Sequence, residues 1–254
     1  MLNVSYEDNN QKIIKDVSHY IEPNTVTAFL GKPGSGKSTA LKLLAGLIPP
    51  TSGTITFEDR DIHALTQKQN LDFRKRAAFM FQDSALWANQ DIYHNLELPL
   101  QLHFPKLSAS SRKERIIHYT QLVEYTKPLT VRPAALSIGE QKKISFARTL
   151  ICEPEILFLD EPTESIDEKT EDLFISILRR LISENKTIVY VSHDNYLINS
   201  FLSSHALWMF SHPDNCTASD SGFAFYQFVS RSRVKSSPRP ISIIKLNALP
   251  HFHR

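Results

Sequence analysis

Nine consecutive residues constrain this chain more than any others: Gly31-Lys32-Pro33-Gly34-Ser35-Gly36-Lys37-Ser38-Thr39. They fit the pattern G-x-x-x-x-G-K-[ST], and the flanking residues supply the strand and helix that give the pattern its meaning. Before them, Val26-Thr27-Ala28-Phe29-Leu30 is a β-branched and apolar run of the kind buried in a parallel sheet. After them, Ala40-Leu41-Lys42-Leu43-Leu44-Ala45 consists of good helix formers and is stopped by Gly46 and Pro49-Pro50. A strand, a glycine loop and a helix in that order aim backbone N–H groups and a positive helix end at one point, where a polyphosphate can sit. Glycines have no Cβ, so the backbone of Gly31, Gly34, Ser35 and Gly36 can close around phosphates. Lys37 is placed to reach the β and γ phosphates. The Ser38 hydroxyl, beside Thr39, is placed to hold Mg²⁺.

The bulk numbers leave room for this and exclude other classes. The chain has 254 residues, 41% of them hydrophobic, enough for one large domain or two fused lobes. A formal net charge of +2 implies no broad nucleic-acid surface. No apolar run approaches the roughly 18 residues that span a bilayer. The first residues have neither the basic region nor the apolar stretch of a secretory leader. Cys152 and Cys216 lie far apart without metal-ligating neighbours, so reduced thiols in a cytoplasmic protein are expected. Any membrane role must then come through a partner.

Along the chain, alternating Leu2, Val4 and Tyr6, the turn Asp8-Asn9-Asn10 and a run over 13–21 predict an antiparallel β segment. Residues 54–57 and 77–81 are further strands, the second ending on Gln82. Residues 83–135 carry Pro99, Pro105, Pro128 and Pro133, with one helix expected over about 108–124; with the helix over 137–150 they form an inserted helical lobe, about 83–150. The strand 156–159 and the strand 187–191 flank the clearest amphipathic helix, over 167–184. Strands alternating with helices predict an α/β fold: a mostly parallel sheet, an N-terminal antiparallel β subdomain and the helical insertion. From Ser211 six basic residues stand against two acidic ones, and a strand is expected over 223–229. This segment, 211–254, reads as an extension that docks a partner.

A phosphate loop specifies nucleotide binding; later stretches specify the reaction. The apolar run 156–159 leads straight into Asp160-Glu161. An aspartate ending a buried strand can hold Mg²⁺ through its water shell, and a neighbouring glutamate can polarise an attacking water.

Taken with these, Leu136-Ser137-Ile138-Gly139-Glu140-Gln141 resembles the signature sequence of ABC ATPases. Gln82 resembles their glutamine loop, Ser165-Ile166-Asp167 their D-loop, and Val191-Ser192-His193-Asp194 their histidine switch. Tyr6 is placed like the aromatic residue that stacks on adenine. The resemblance covers about residues 2–210 in six ordered motifs. It implies two copies packed head to tail, with ATP between the phosphate loop of one and the signature of the other. It makes Glu161 the general base, Gln82 a contact to Mg²⁺ and water, and His193 a sensor of the γ-phosphate. Ser137, Gly139, Gln141 and Asp167 join the nucleotide-binding set. Ser137 would also cap the helix behind it, which directs helix N–H groups at phosphate.

Two positions depart from the family pattern. Ile138 replaces the first glycine of the signature; a positive φ there would cost about 1–2 kcal/mol, and a negative φ would hinder only close approach to phosphate. Asn24 replaces a turn glycine, which asparagine tolerates. Within the family, Phe81-Gln82-Asp83-Ser84-Ala85-Leu86-Trp87 and the stretch 95–100 resemble the ATPase subunits of Mce-type lipid transporters, which implies lipid transport and an Mce-type or other substrate-binding partner. An importer of amino acids or ions, a lipoprotein-release ATPase, and a soluble ABC ATPase acting on DNA or ribosomes are the alternatives. Leu136 lies only 97 positions after Thr39, too few for the coiled coil of the DNA-repair types. The expected partners are a transmembrane permease and a second copy of the chain, at the inner face of the cytoplasmic membrane. The apolar residues of 83–107, with Trp87 as anchor, are expected to form the groove that receives the permease.

Overall fold

The computed structural model describes residues 1–201 in full and the backbone of two later strands. The N-terminal hairpin comprises β1 (Leu2–Asp8) and β2 (Gln11–Val17), turned by Asn9 and Asn10 at φ 48° and 64°. Asparagine adopts this left-handed conformation more readily than most residues. With β4 (Ser52–Thr54) the hairpin forms a three-stranded antiparallel sheet in the order β2-β1-β4. Strand β2 ends at Val17, four residues short of the expected run, and Asn24 sits at φ 60° in the following turn, as its side chain allows.

The central sheet has six strands. They are β3 (Val26–Gly31), β7 (Ala77–Met80), β8 (Ile156–Asp160), β9 (Thr187–Val191), β10 (His205–Phe210) and β11 (Phe225–Val229), in the order β11-β10-β3-β9-β8-β7. All neighbours run parallel except β11, which returns antiparallel along β10. A strand from the basic segment after Ser211 therefore belongs to this sheet. The rest of that segment, with the cysteine, histidines and docking role expected there, lies outside the described residues. A short hairpin, β5 (Thr56–Phe57) with β6 (Arg60–Asp61), completes the strands.

Side chains alternate across a strand, so a sheet covered on both faces divides its apolar residues between two cores. Leu157, Leu159, Ile188 and Tyr190 point into one, and Phe29, Phe158, Val189 and Val191 into the other. The second core is closed by α1 (Lys37–Leu44), the antiparallel sheet and α2 (Gln67–Arg76). The first is closed by α3 (Ile92–His103), α4 (Ala109–Leu122), α5 (Ile138–Leu150) and α6 (Glu168–Ser183), with α7 (Asn195–Ser200) beside them.

Two expectations are corrected here. A helix, α3, runs through Pro99, where only one helix, further on, was expected before the signature. The apolar residues of this stretch also have a place in the core. Ile92, Leu96 and Leu100 are fully buried, at helical spacing, against α4 and α5. One missing N–H does not outweigh burying three large side chains. Trp87 and Leu98 remain exposed.

Candidate active site

Four parallel strands end on one edge of the sheet, and each delivers one functional turn. Strand β3 runs into the phosphate loop, β7 is followed by Gln82, β8 ends on Asp160, and β9 runs into Ser192 and His193. Ligands of open parallel sheets bind at this edge because loops there can converge. Between them lies an open cleft of about 420 Å³, lined by residues 33–39, Gln82, Glu161, Glu164 and His193, and by Gln11 and Ile13 of β2. Tyr6 is half-buried on the second core, opposite Ile14 in the hairpin, and β2 supplies the cleft lining from this sheet.

Gly36 caps α1 at φ 87°, where a Cβ would meet Ile14 Cδ1 at 3.1 Å, so both conformation and space require glycine. Lys37 is only 5% exposed, and its Nζ donates to the carbonyls of Gly31 at 2.8 Å and Lys32 at 2.9 Å. Burial lowers its pKa, opposed by the carboxylates of Glu161 and Asp160. The Ser38 hydroxyl donates to Asp160 Oδ1 at 2.7 Å, joining loop and strand end that are 122 residues apart.

Asp160 and Glu161 are both buried, and burial raises the pKa of each. The Ser38 hydrogen bond opposes the rise at Asp160; the His193 N–H, 3.1 Å from Glu161 Oε2, opposes it at Glu161. His193 Nε2 stands 3.4 Å from Glu161 Oε1, and the ring is half exposed. Glu161 has φ 45°, a left-handed backbone that costs an ordinary residue about 1–2 kcal/mol. Its N–H donates to Val191 O at 2.9 Å and its carbonyl accepts from the buried Lys142 Nζ at 2.8 Å. Gln82 Nε2 donates to Glu164 Oε2 at 2.9 Å. Thr163 Oγ1 donates to Asp194 Oδ2 at 2.8 Å, tying the turn after the acidic pair to the histidine turn.

The signature lies away from this cleft. Ser137 caps α5 in a capping box: its hydroxyl accepts from the Glu140 N–H at 3.3 Å, and Glu140 Oε2 accepts from the Ser137 N–H at 2.8 Å. Ile138 begins the helix with an ordinary negative φ and a side chain 62% exposed, so there is no backbone strain. Beside it Gly139 faces open space. The Gln141 amide donates to the carbonyls of Pro133 and Leu136 at 3.2 and 3.3 Å, bracing the turn ahead of the helix. Asp167 caps α6, accepting from the Thr170 N–H at 2.9 Å, and its pKa is lowered by that bond.

The residues present fit a nucleotide and a hard cation. The Ser35 hydroxyl is buried without a hydrogen-bond partner inside the loop, and the hydrogen bonds of the Lys37 ammonium go only to the carbonyls of Gly31 and Lys32. A hydroxyl and a carboxylate meeting at 2.7 Å are the oxygen donors that Mg²⁺ takes. Lys142, Glu164, Gln11 and Ile13 are the parts of the site that were not read in the sequence. Lys142 was legible in principle: with Ser145, Phe146 and Thr149 it falls at helical spacing on one buried face.

Fold and cleft together define a phosphate-loop nucleotide-hydrolysing domain. Residues 14–164, more than half of the chain, match the family described as ABC transporter, and the chain belongs to that family. It is 34% identical over 190 residues to the ABC transporter ATP-binding protein YtrE of Bacillus subtilis, covering 74% of this chain and 81% of the relative. It is 30% identical over 209 residues to the methionine import ATP-binding protein MetN 1 of Enterococcus faecalis, covering 81% of this chain but 58% of that protein. Among solved structures, the dimeric post-hydrolysis state of the ATP-binding cassette MJ0796 bound to ADP and Pi superposes with a TM-score of 0.75. The identity is 26%, over 82% of this chain and 92% of that one. This chain is an ATP-binding protein and an ATPase.

Proposed function

We propose that the chain is the ATP-hydrolysing subunit of a membrane transporter, working as a head-to-tail pair that drives a separate permease. The observation that carries the catalytic part is the junction of Ser38 Oγ with Asp160 Oδ1, with Glu161 and His193 across the same cleft. Lys37 and the loop N–H groups hold the β and γ phosphates. Ser38 and Asp160, with Gln82, hold Mg²⁺, which when bound neutralises phosphate charge. Glu161 takes the proton of the attacking water, for which its raised pKa suits it, and His193 holds the carboxylate and faces the γ-phosphate. Tyr6 stacks on adenine. Ser137 and Gly139, with Gln141 bracing their turn, and Asp167 serve the nucleotide of the second copy.

The dimeric cassette MJ0796 supports pairing of two chains. No helix among the described residues is long and apolar enough to cross a membrane, so attachment to the inner membrane runs through the permease. For the cargo, the similarity to methionine import ATP-binding proteins favours methionine or another small solute over the lipid route expected from 81–87 and an Mce-type partner. Replacing Lys37 by Ala tests the reading. ATPase activity of the purified chain should fall to background while its circular dichroism and melting stay those of a folded protein. Near-normal turnover would remove the catalytic core of the proposal.

A further inference from the structure

One buried charge has no part in the chemistry above. Lys142 sits on the second turn of α5, 2% exposed, and its Nζ makes one hydrogen bond, to the carbonyl of Glu161 at 2.8 Å. Among the described residues no carboxylate oxygen lies within 4 Å of it. Glu164, Glu161, Asp160 and Asp83 surround it at longer range and favour its charge, against the cost of burial. A lysine is rarely buried so completely without a paired ion. Here the directed contact is instead with Glu161, the second residue of the acidic pair, whose backbone is left-handed just ahead of the turn at Pro162-Thr163.

We propose that Lys142 is a positioning residue for hydrolysis: its ammonium holds the Glu161 carbonyl and thereby fixes the backbone from which the Glu161 carboxylate is aimed. Glu161 is then held from several sides. Its N–H is fixed on Val191 O, its carboxylate on the His193 N–H, and its carbonyl on Lys142 at 2.8 Å, with the Glu164 N–H farther off at 3.3 Å. The first two tie it to β9 and the histidine turn, and the Glu164 bond is local to its own turn. Only Lys142 ties it to α5, the helix that begins at the signature turn Ser137-Ile138-Gly139. The same helix holds the glutamine loop by a second, half-buried cation: Arg148 donates to the carbonyls of Ser84 and Ala85, both at 2.9 Å. Displacement of α5, as when its N-terminus meets a nucleotide on a second copy, therefore pulls directly on the base of its own site. The inference rests on the reading of Glu161 as general base. It adds a contact by which one half of the composite site reports to the other.

Because the acceptor is a neutral carbonyl, the N–H donor matters more than the charge. Lys142→Met keeps length and bulk without a donor, and Lys142→Gln keeps a donor without a charge. In the full chain, Lys142→Met should lower kcat about 10- to 100-fold, the scale for losing a contact that orients a catalytic group. Its affinity for a fluorescent ATP analogue and its melting temperature should stay near wild type. It should also accumulate the ATP-bound dimer, because hydrolysis is slowed and binding is not. Lys142→Gln should recover most of the turnover. Wild-type kcat in Lys142→Met, or Lys142→Gln as slow as Lys142→Met, overturns the inference. If Lys142→Met does not fold, Lys142→Gln decides: near-wild-type kcat supports the donor role, and a tenfold fall with ATP binding intact contradicts it. Glu161→Gln, assayed alongside, separates the two levels. If it hydrolyses at the wild-type rate, the assignment of the base fails; if it is inactive while Lys142→Met is normal, only the role of Lys142 fails.

Discussion

At Ile138 a β-branched side chain stands where the family pattern has glycine, on the first residue of a well-capped helix. With a negative φ and 62% exposure it strains nothing, so Ile138→Gly should change stability by only about 0.5 kcal/mol, the difference in helix propensity. The gain belongs to function: a bare backbone approaches phosphate more closely, so steady-state ATPase assays should show faster turnover. A fall would mean that Ile138 fits this site. Glu171 gives a second test at this scale. Burial first, then the carboxyl of Asp194 and the charges of Asp172 and Glu168, push its pKa up to about 8 from an ordinary 4.5. A raised carboxyl pKa means that the folded state prefers the proton. Its contribution is therefore full below about pH 4.5 and is lost as pH rises to about 8. Urea denaturation across that window should show wild-type stability falling relative to Glu171→Gln, which cannot titrate; parallel pH dependences would contradict the shift. Much of the site was legible at this scale because phosphate loop, acidic pair and histidine switch are short contiguous motifs whose chemistry depends on residue type. For Lys142 only the place on a helix face was legible; its contact with the Glu161 carbonyl joins positions 19 residues apart, which no local pattern shows.

The element that sequence reasoning misjudged is α3. Pro99 argues against a helix, and Ile92, Leu96 and Leu100 then had no home except a partner's groove. Their burial against α4 and α5 is a long-range fact that no local pattern announces. What remains of the expected surface is Leu98 and Trp87, the latter 49% exposed with its backbone fixed by the side chain of buried Asn95. The two roles separate by mutation. Leu96→Ala removes a fully buried side chain and should cost about 2–5 kcal/mol in chemical denaturation. Trp87→Ala should leave that midpoint almost unchanged, since half the ring is already in water. In a pull-down it should weaken permease association by about 2 kcal/mol, as loss of an aromatic anchor does. Intact association would place the docking surface elsewhere. The parallel strands β3, β7, β8 and β9, by contrast, were read in the sequence, because buried runs such as Thr187-Ile188-Val189-Tyr190-Val191 need no tertiary information to be recognised; the fifth, β10, was not.

Over the whole molecule, the cleft and the signature turn face different tasks within one chain. In the proposed composite site, the Ser38–Asp160 junction, Glu161 and His193 are one half, and the capped N-terminus of α5, with Gly139 open in front of it, is the other. Neither half closes on the other in a single copy, which is why a pair of chains around two nucleotides is central to the proposed function. The most direct measurement uses Glu161→Gln, which keeps the shape of the base but cannot accept the proton of water. Size-exclusion chromatography with light scattering, run with and without ATP and Mg²⁺, should show a monomer without nucleotide and a stable dimer with it. A Glu161→Gln protein that stays monomeric with ATP bound, and still hydrolyses it quickly, would contradict both the composite site and the base.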